Sequence, residues 1–337
     1  MNFTTLNQFF ANAAKGMHHK NNELEQVIKD IVRACIQISV TIDKGAINGA
    51  MGSLDSENVQ GEVQKALDVI CNDIFIEATQ QNNLVAGMVS EELPDPYLIP
   101  QVYADKKQSV KYLLLFDPLD GSSNVNVNIS VGTIFSILRC ADGLDKPKLE
   151  DFLQPGIQQV CAGYALYGSS TMLVFTTGEG VNGFTLDREA GEFLLTHPNL
   201  QVPADTNEFA INMSNQRFWE PPVQRYISEC LQGKTGVRGK DFNMRWVASM
   251  AAEVHRILMR GGVFMYPNDT KSLAQQGKLR LMYEANPMSF IIEQAGGMAI
   301  CNSERLLALQ PTGIHQRVPV IMGSKNEVSL IAAYHRV

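Results

Sequence analysis

Residues 112–124 read YLLLFDPLDGSSN, an apolar run that leads directly into a polar cluster. The run Tyr112–Phe116 is uninterrupted, which is typical of a β-strand covered on both faces. Two carboxylates, Asp117 and Asp120, follow it three residues apart, and Pro118 fixes the backbone between them. We therefore expect both carboxylates to face one point where this buried strand ends.

The residue types in this stretch indicate metal-assisted phosphate chemistry. Carboxylates and a turn carbonyl are hard oxygen donors, which Mg²⁺ and Mn²⁺ prefer. The residues that follow, 121–124, offer backbone N–H groups and hydroxyls that can hold a phosphate. Together they indicate metal-assisted transfer of a phosphoryl group to water. An isolated D-P-x-D-G is better interpreted as a turn with its own hydrogen bonds, but the preceding buried strand and the length of the polar run disfavour that alternative here.

Further acidic residues complete a candidate two-metal site. Glu91 and Glu92 follow an apolar segment, 84–88, and taken alone they are equally well interpreted as a solvated loop. Asp68 interrupts the apolar edge of a predicted helix, where a carboxylate needs a partner or a cation. A two-metal site needs a bridging carboxylate and one that orients and deprotonates water. Glu284, between a predicted strand and a predicted helix, is a candidate to close the site.

The periodicity of apolar residues predicts a mixed α/β chain in two lobes. Predicted helices cover 23–43, 62–80, 221–231, 247–260 and the segment after Asn286, and predicted strands cover 112–116, 131–138, 160–167, 172–177, 183–186 and 278–284. Residues 45–61 are rich in Gly, Ser, Asn and Asp, and we expect a mobile surface connection there. A change of character near residue 200 predicts domains at 1–200 and 201–337.

The second lobe carries the opposite charge. The whole chain of 337 residues has 28 Lys and Arg against 35 Asp and Glu, a net charge of −7, but residues 201–283 hold 11 basic and 7 acidic residues. This lobe suits a second anionic group. Any one cation there is more often a solvated surface residue, so the prediction depends on the cluster of Asn212, Arg245, Tyr266, Lys278 and Arg280.

Composition and missing motifs exclude several classes of function. The acidic total argues against general nucleic-acid binding, which needs clustered Lys and Arg. No apolar run reaches the roughly 18 residues that span a bilayer, and residues 1–20 lack a basic region followed by an apolar core, so we expect a soluble cytoplasmic protein. The six scattered cysteines are interpreted as reduced thiols. No Ser-His-Asp arrangement or GxxxxGK[ST] loop is readable, and His255 is interpreted as structural.

With these residues in view, the sequence resembles the class 1 fructose-1,6-bisphosphatases of the metal-dependent, lithium-sensitive sugar-phosphatase superfamily. The resemblance spans nearly the whole chain, in family order: VSEE, FDPLDGSSN, SVGTIFSI, DFLQPG, YGSSTMLVFTTG, GGVFMYP, GKLRLMYEANPM and EQAGGMA. It implies a layered αβαβα fold and hydrolysis of the 1-phosphate of fructose 1,6-bisphosphate, a step of gluconeogenesis or Calvin-cycle type.

The resemblance also implies roles for individual residues. Two or more Mg²⁺ ions, with Mn²⁺ or Zn²⁺ as alternatives, are expected on Glu62, Glu91, Asp117, the Leu119 carbonyl, Asp120 and Glu284. Glu92 and Asp68 are expected to position and deprotonate water beside Glu91, while Asp120, Gly121, Ser122 and Ser123 hold the 1-phosphate end. Asn212, Tyr266 and Lys278 are expected to bind the sugar and its 6-phosphate, with Arg245 arriving from a neighbouring subunit of a homo-oligomer, typically a tetramer.

Several departures from the family pattern leave alternatives open. Asn215 and Trp246 stand where many relatives carry tyrosines in the 6-phosphate pocket, and both remove a phenolic donor. Sedoheptulose 1,7-bisphosphate is therefore an alternative or second substrate, and a silent sugar-phosphate sensor is the non-enzyme alternative. The family's AMP-inhibition motif is replaced by residues 21–25, NNELE, so we predict weak or absent inhibition by AMP.

Overall fold

The computed structural model describes residues 3–16, 22–45, 53–57, 63–81, 83–99, 112–141, 146–272 and 277–336. Within these ranges, apolar residues with helical spacing give the helices one buried face. They are α1 (Leu6–Gly16), α2 (Asn22–Lys44), α3 (Ala66–Thr79), α4 (Leu149–Phe152), α5 (Pro221–Leu231), α6 (Met250–Arg260), α7 (Asn286–Gln294) and α8 (Lys325–Tyr334).

Residues up to 200 supply a short strand pair and a large sheet. The pair is antiparallel and consists of β1 (Ser53–Glu57) and β2 (Val63–Lys65). The large sheet contains β3 (Val85–Ser90), β4 (Tyr97–Leu98), β5 (Tyr112–Asp120), β6 (Val131–Arg139), β7 (Cys161–Tyr167), β8 (Thr171–Thr176), β9 (Val181–Asp187) and β10 (Glu192–Leu200). Its order is β10-β9-β8-β7-β6-β5-β3-β4, and only the β3–β5 pairing among its described strands is parallel.

Residues from 208 onward supply a second sheet and another short pair. The sheet contains β11 (Glu208–Ala210), β12 (Asn243–Met244), β13 (Val263–Tyr266), β15 (Met298–Cys301), β16 (Glu304–Arg305) and β18 (Val320–Gly323), in the order β12-β11-β13-β18-β15-β16. The pair consists of β14 (Leu279–Arg280) and β17 (Arg317–Val318). The predicted division of the chain into independent domains near residue 200 stays a prediction.

Alternating side chains of the large sheet divide between two hydrophobic cores, because successive residues of a strand face opposite sides. On β6, Phe135 packs into the core shared with α1, α2 and α3, whereas its neighbour Ile134 packs into the core shared with α6 and α7. Helices α6 and α7 also contact the second sheet, and α5 and α8 cover its far face. The layers are therefore helix, sheet, helix, sheet, helix, and the predicted mixed α/β fold is confirmed.

Most predicted strands of the large sheet are confirmed, but several element boundaries were wrong, and α6, for example, begins at Met250 rather than at the predicted residue 247. Residues 63–65 form strand β2, so α3 begins at Ala66 rather than at the predicted residue 62, and Glu62 itself lies outside the described residues. Strand β5 does not end at Phe116 but continues through Asp120, with an irregular register between Asp117 and Asp120. The reason is that Pro118 has no N–H and the Leu119 N–H donates to Asp117 Oδ1, 2.9 Å away, so regular pairing resumes only at Asp120.

The predicted strand over 278–284 was also wrong. Only Leu279–Arg280 is strand, and Leu281–Ala285 forms a π-helical turn that runs into α7. The Arg280 backbone N–H donates to the Glu284 carboxylate inside this turn, which draws the chain out of an extended conformation. Such wide turns occur often at functional sites.

Three smaller predictions can be compared with the structure. All six cysteines are free, and His255 lies 2.9 Å from the Tyr164 hydroxyl in the core between the sheets, which supports a structural role. Of the connection over 45–61, residues 53–57 form strand β1, while residues 46–52 and 58–62 lie outside the described ranges. No helix in the described part of the chain is long and apolar enough to cross a membrane.

Candidate active site

A cavity of about 240 Å³ opens at the end of the large sheet, where β3 and β5 meet the first turn of α6 and the π-helical turn. Apart from Glu62, Asn212 and Arg245, the cavity brings together every side chain or carbonyl that the sequence analysis assigned. These are Asp68, Glu91, Glu92, Asp117, Leu119, Asp120, Gly121, Ser122, Ser123, Tyr266, Lys278 and Glu284.

The parallel pairing of β3 and β5 places two of the acidic segments side by side. Ser90 is in register with Phe116, and the Glu91 N–H donates to the Phe116 carbonyl, 3.2 Å away. The carboxyl ends of parallel strands meet at the same edge of a sheet, so Glu91, directly after β3, and Asp117, near the end of β5, lie together at this edge. Asp68 joins them from the first turn of α3, with its side chain buried.

Asp117, Asp120 and Glu284 form a buried acidic cluster whose ligand oxygens all lie within 4.8 Å of one another. Burial raises the pKa of Asp117 well above its ordinary value, and Glu91 and Asp120 raise it further. Burial also raises the pKa of Glu284 to about 8, against the attraction of Arg280, which lowers it. Buried carboxylates this close need a compensating cation. The oxygen-only donor set fits a divalent metal ion.

The first turn of α6 holds Asp120 in place. Ser249 Oγ donates to Asp120 Oδ2 at 2.7 Å, the Ala251 N–H donates to the same oxygen at 2.8 Å, and the Met250 N–H donates to Oδ1 at 3.2 Å. Burial raises the pKa of Asp120 above its ordinary value, and these hydrogen bonds oppose part of that rise. Ser249 was not predicted from the sequence; it is the N-cap residue directly before α6, which begins at Met250.

Gly121 allows α6 to approach this closely. Its φ of 76° lies in the left-handed region, and a Cβ there would lie 2.7 Å from the Ser249 Cβ. A larger residue would therefore have to push the loop and the helix apart. Ser122–Val127 follows as a 3-10 helix, so Ser122 and Ser123 begin a tight turn at the cavity wall.

Arg280 is in a different place from the one predicted. Its buried guanidinium lies 2.8 Å from Glu91 Oε1, and the residue lines the acidic cavity rather than a second phosphate site. Arg280 thus supplies a positive charge among the acidic residues. The prediction was wrong because Arg280 lies on the two-residue strand β14, directly before the turn that carries Glu284.

A buried hydrogen-bond relay, also missed from the sequence, fixes the turn that carries Glu91 and Glu92. Ser90 Oγ donates to Asn72 Oδ1 on α3 at 2.7 Å, and the Glu92 N–H donates to Ser90 Oγ at 3.2 Å. Asn72 and Asp68 are one helical turn apart, so α3 connects to both candidate water-positioning residues.

A second cavity of about 380 Å³ lies beside the first and shares Tyr266 and Lys278 with it. Asn212 lies here, and its Oδ1 accepts a hydrogen bond from the Ser214 N–H, 3.2 Å away. The wall carries more positive than negative charge, so it suits an anionic group. Its polar side chains are those of Asn212, Ser214, Asn215, Tyr266, Asp269, Lys271, Lys278 and Arg317.

Arg245 and Trp246 are neighbours in the sequence but lie in different surroundings. Arg245 lines neither cavity, and its Nε lies 3.8 Å from Glu208 Oε1 with about half of the side chain exposed. Trp246 lines the acidic cavity and stacks on Phe264 at a ring-centroid distance of 6.1 Å. The predicted contact of Arg245 with a neighbouring subunit stays a prediction.

Comparison with known proteins places this architecture in one family. Family models described as "Fructose-1-6-bisphosphatase, N-terminal domain" and "C-terminal domain" match residues 4–198 and 202–336. A class 1 fructose-1,6-bisphosphatase of Halorhodospira halophila is 58% identical over 336 residues, covering 99% of this chain and 98% of that protein. The holo and apo crystal structures of Leishmania major fructose-1,6-bisphosphatase match the whole chain with TM-scores of 0.91 and 0.86, at 36% and 34% identity, and 100% of each of those chains is covered. The sequence motifs, the layered fold and these similarities agree, and the chain belongs to the class 1 fructose-1,6-bisphosphatase family.

Proposed function

We propose that this enzyme hydrolyses the 1-phosphate of fructose 1,6-bisphosphate, giving fructose 6-phosphate and inorganic phosphate. As a member of this family, the chain is a phosphatase. The observation that carries the choice of substrate is the pair of adjoining cavities, one acidic and one cationic, that share Tyr266 and Lys278. A sugar with phosphates at both ends matches this arrangement, since each end meets groups suited to it.

The acidic cavity would hold the metal ions. Asp117, Asp120 and Glu284 are the proposed core ligands, with Glu91 and the Leu119 carbonyl beside them. Bound divalent cations supply the positive charge that attracts the anionic ester and stabilises the leaving oxygen. Mg²⁺ as the metal, two or more ions per subunit and a contribution from Glu62 are parts of this proposal.

The protein's own side chains would position water and substrate. Glu92, in the turn fixed by Ser90, and Asp68 would orient the attacking water and accept its proton. The loop at Gly121–Ser123 would hold the phosphate that leaves, while Asn212, Tyr266 and Lys278 would bind the sugar and its second phosphate. Arg245 from a neighbouring subunit, a homotetramer, a cytoplasmic location and weak AMP inhibition stay predictions.

The alternatives differ in substrate or in activity. Asn215 and Trp246 line the cavities where the resemblance implies tyrosines, so sedoheptulose 1,7-bisphosphate stays the second candidate substrate. Measuring kcat/KM for both bisphosphates decides which of the two sugars is the preferred substrate. A silent sensor would be expected to lack a ligand or a base, whereas the described acidic residues of the site are all in place.

Phosphate release with Mg²⁺ tests the proposal. Asp117→Asn removes a negative ligand oxygen with little change of shape, and we expect kcat for fructose 1,6-bisphosphate to fall by about 10²–10³-fold or more. The matched control is Asp73→Asn, on an exposed acid of α3 outside the acidic cavity, which should keep wild-type activity. Undiminished phosphate release by Asp117→Asn would refute the site, and absence of release by the wild type would refute the function.

A further inference from the structure

The loop over residues 245–249, which leads into α6, contains a residue in an uncommon backbone conformation. Ala248 lines the acidic cavity with a φ of 61°, in the left-handed region. The other non-glycine residues with positive φ in the described part of the chain are all asparagines, which adopt this conformation more readily than alanine does. The conformation of Ala248 must therefore be imposed by the contacts around it.

Two side chains fix Val247, the residue directly before Ala248. The Val247 N–H donates to Glu253 Oε1 at 2.6 Å, and the Val247 carbonyl accepts a hydrogen bond from Asn124 Nδ2 at 2.9 Å. Glu253 lies on α6, and Asn124 lies in the turn that follows β5. The loop is therefore connected on one side to the helix that follows it and on the other to the turn at the cavity wall.

The residue directly after Ala248 contacts a proposed metal ligand, since Ser249 Oγ donates to Asp120 Oδ2 at 2.7 Å. We propose that Asn124 and Glu253 are positioning residues for this contact and act on it through the loop backbone. By fixing the backbone before the left-handed turn, they set the direction in which the chain enters α6. The inference rests on the proposed function, because it takes Asp120 as a metal ligand.

Glu253 is itself held in one orientation. Its side chain has no exposed surface, and its Oε2 accepts hydrogen bonds from Arg256 Nε at 3.2 Å and Nη2 at 3.1 Å. Arg256 Nη1 in turn donates to Glu208 Oε2 on β11, 2.6 Å away. A buried carboxylate paired in this way presents its other oxygen, Oε1, in a fixed direction, and a hydrogen bond from an N–H to a charged acceptor is a strong one.

Asn124 is held by its own turn. Its N–H donates to the Gly121 carbonyl at 2.8 Å, its carbonyl accepts from the Ile129 N–H at 3.1 Å, and its side chain is buried. The same turn packs against the loop at Gly121, where a Cβ would lie 2.7 Å from the Ser249 Cβ. The turn therefore meets the loop at two points, one before and one after Ala248.

The loop has further anchors that do not involve these two residues. The Arg245 N–H donates to the Phe209 carbonyl at 2.8 Å, and the Trp246 ring stacks on Phe264. Loss of one hydrogen bond to Val247 should therefore leave the loop folded. It should instead let Ala248 return to a more favourable φ, which turns Ser249 away from its acceptor.

Binding of Mn²⁺ to the metal-free protein tests the proposal without any catalytic step, and the EPR signal of the free ion measures it. For Asn124→Ala we expect the Kd to rise about tenfold, because outer partners of metal ligands affect affinity at this level. Glycine adopts a left-handed conformation at little cost, so adding Ala248→Gly to Asn124→Ala should bring the Kd back to within about threefold of wild type. Ala248→Gly alone should leave the Kd unchanged.

Two substitutions of Glu253 separate its acceptor role from simple space filling. Glu253→Gln keeps an oxygen that can accept from the Val247 N–H, so its Kd should stay close to that of the wild type, whereas Glu253→Met removes the acceptor and should raise the Kd about tenfold. Glu229→Met is the matched control, because Glu229 is a buried acid of α5 that accepts from Arg225 Nε at 3.0 Å and lines neither cavity. Asn124→Ala carries the test if Glu253→Met does not fold.

An unchanged Kd in Asn124→Ala would overturn the proposal, as would an equal rise in Glu229→Met or a double variant in which Ala248→Gly restores nothing. A wild type that binds no Mn²⁺ would overturn both this inference and the metal site. A wild type that binds Mn²⁺ but releases no phosphate from fructose 1,6-bisphosphate would refute the proposed function alone, and the series of Kd values would still decide whether the two residues position Asp120.

Discussion

At the scale of single residues, Ser90 has two hydrogen-bond partners and no exposed surface. It connects Asn72 on α3 to the Glu92 backbone, at 2.7 and 3.2 Å. Ser90→Ala removes a hydrogen-bond partner from two groups, Asn72 Oδ1 and the Glu92 N–H. The turn that carries Glu91 and Glu92 should therefore become less ordered. We expect kcat for phosphate release to fall about tenfold, the lower end of what lost outer contacts cost at metal sites.

Ser136 provides the control for this prediction. It is equally buried, it donates to Gln159 Oε1 at 2.7 Å, and it lines neither cavity. Ser136→Ala should lower the melting temperature by a similar amount while kcat stays close to that of the wild type. Equal activity losses in the two variants would mean that Ser90 acts only through general stability.

Single residues also show how far sequence reasoning reaches. Asp68 was singled out because a carboxylate beside apolar residues is costly unless it meets a partner or a cation, and its side chain is buried at the acidic cavity. Asp117 was singled out because it follows a buried strand together with Asp120.

The role of Ser90 could not be identified in the same way, because a buried serine in an apolar segment carries no signal of its partner Asn72 on another element. The position of Arg280 depends on a partner far along the chain. Glu91, the partner of Arg280, is 189 residues away, and nothing local to Arg280 indicates it.

At the scale of elements, the close packing of α6 on β6 positions Asp120. A Cβ at Gly132 on β6 would lie 2.5 Å from the Ala251 Cβ and 2.7 Å from the Ala165 carbonyl oxygen. Ala251 also donates its backbone N–H to Asp120. Gly132→Ala must therefore displace the first turn of α6 and weaken the bonds that hold Asp120. We expect a loss of about 1–3 kcal/mol in the free energy of unfolding, together with lower kcat.

Gly313→Ala is the comparison, since a Cβ there meets nothing within 4 Å. It should change the unfolding free energy by no more than about 0.5 kcal/mol. Urea unfolding and phosphate release of the two variants provide the measurements. A Gly132→Ala protein with wild-type stability and activity would show that α6 does not depend on this close approach.

Elements were predicted best where one period continues for many residues. The apolar stripe of α2 continues over several helical turns, and the apolar run of β6 continues over most of that strand. Local sequence patterns were therefore sufficient to locate both elements. The π-helical turn Leu281–Ala285 could not be predicted, because the apolar residues around Glu284 are equally compatible with a buried strand or a buried helix. The choice depends on the side chain of Glu284 accepting a hydrogen bond from Arg280.

At the scale of the whole molecule, the net charge of −7 is distributed unevenly, with acidic residues concentrated in one cavity and basic residues in its neighbour. The charge count predicted that the second lobe suits an anion, but it did not locate the residues: Arg280 lines the acidic cavity, and Arg317, outside the counted range 201–283, lines the second cavity. The effect of the acidic cluster on stability could not be predicted from the charge count, since that effect depends on how deeply the carboxylates are buried. Asp117, Asp120 and Glu284 are each almost inaccessible to solvent, and this burial raises the pKa of all three carboxyl groups. Without metal, the folded chain therefore keeps protons on this cluster up to a higher pH than the unfolded chain does.

This proton uptake predicts opposite pH trends for the metal-free and metal-bound protein. Burial raises the pKa of Glu284 from its ordinary value of 4.5 to about 8, so between these pH values the native state binds more protons than the unfolded state. Stability therefore falls as pH rises through this window. A divalent cation binds the deprotonated cluster, so its stabilising effect should grow with pH.

Melting temperatures at pH 5, 6, 7 and 8, with EDTA or with Mg²⁺, measure both trends. Other groups also titrate in this range, so the decisive quantity is the difference between the wild type and Glu284→Gln, which cannot ionise at that position. In EDTA the wild type should lose several degrees more than the variant between pH 5 and pH 8, because only the wild type must hold a buried carboxyl against ionisation. With Mg²⁺ the order should reverse at pH 8. If the difference in melting temperature between the two proteins in EDTA stayed constant from pH 5 to pH 8, the buried carboxyl of Glu284 would not be the source of the pH dependence.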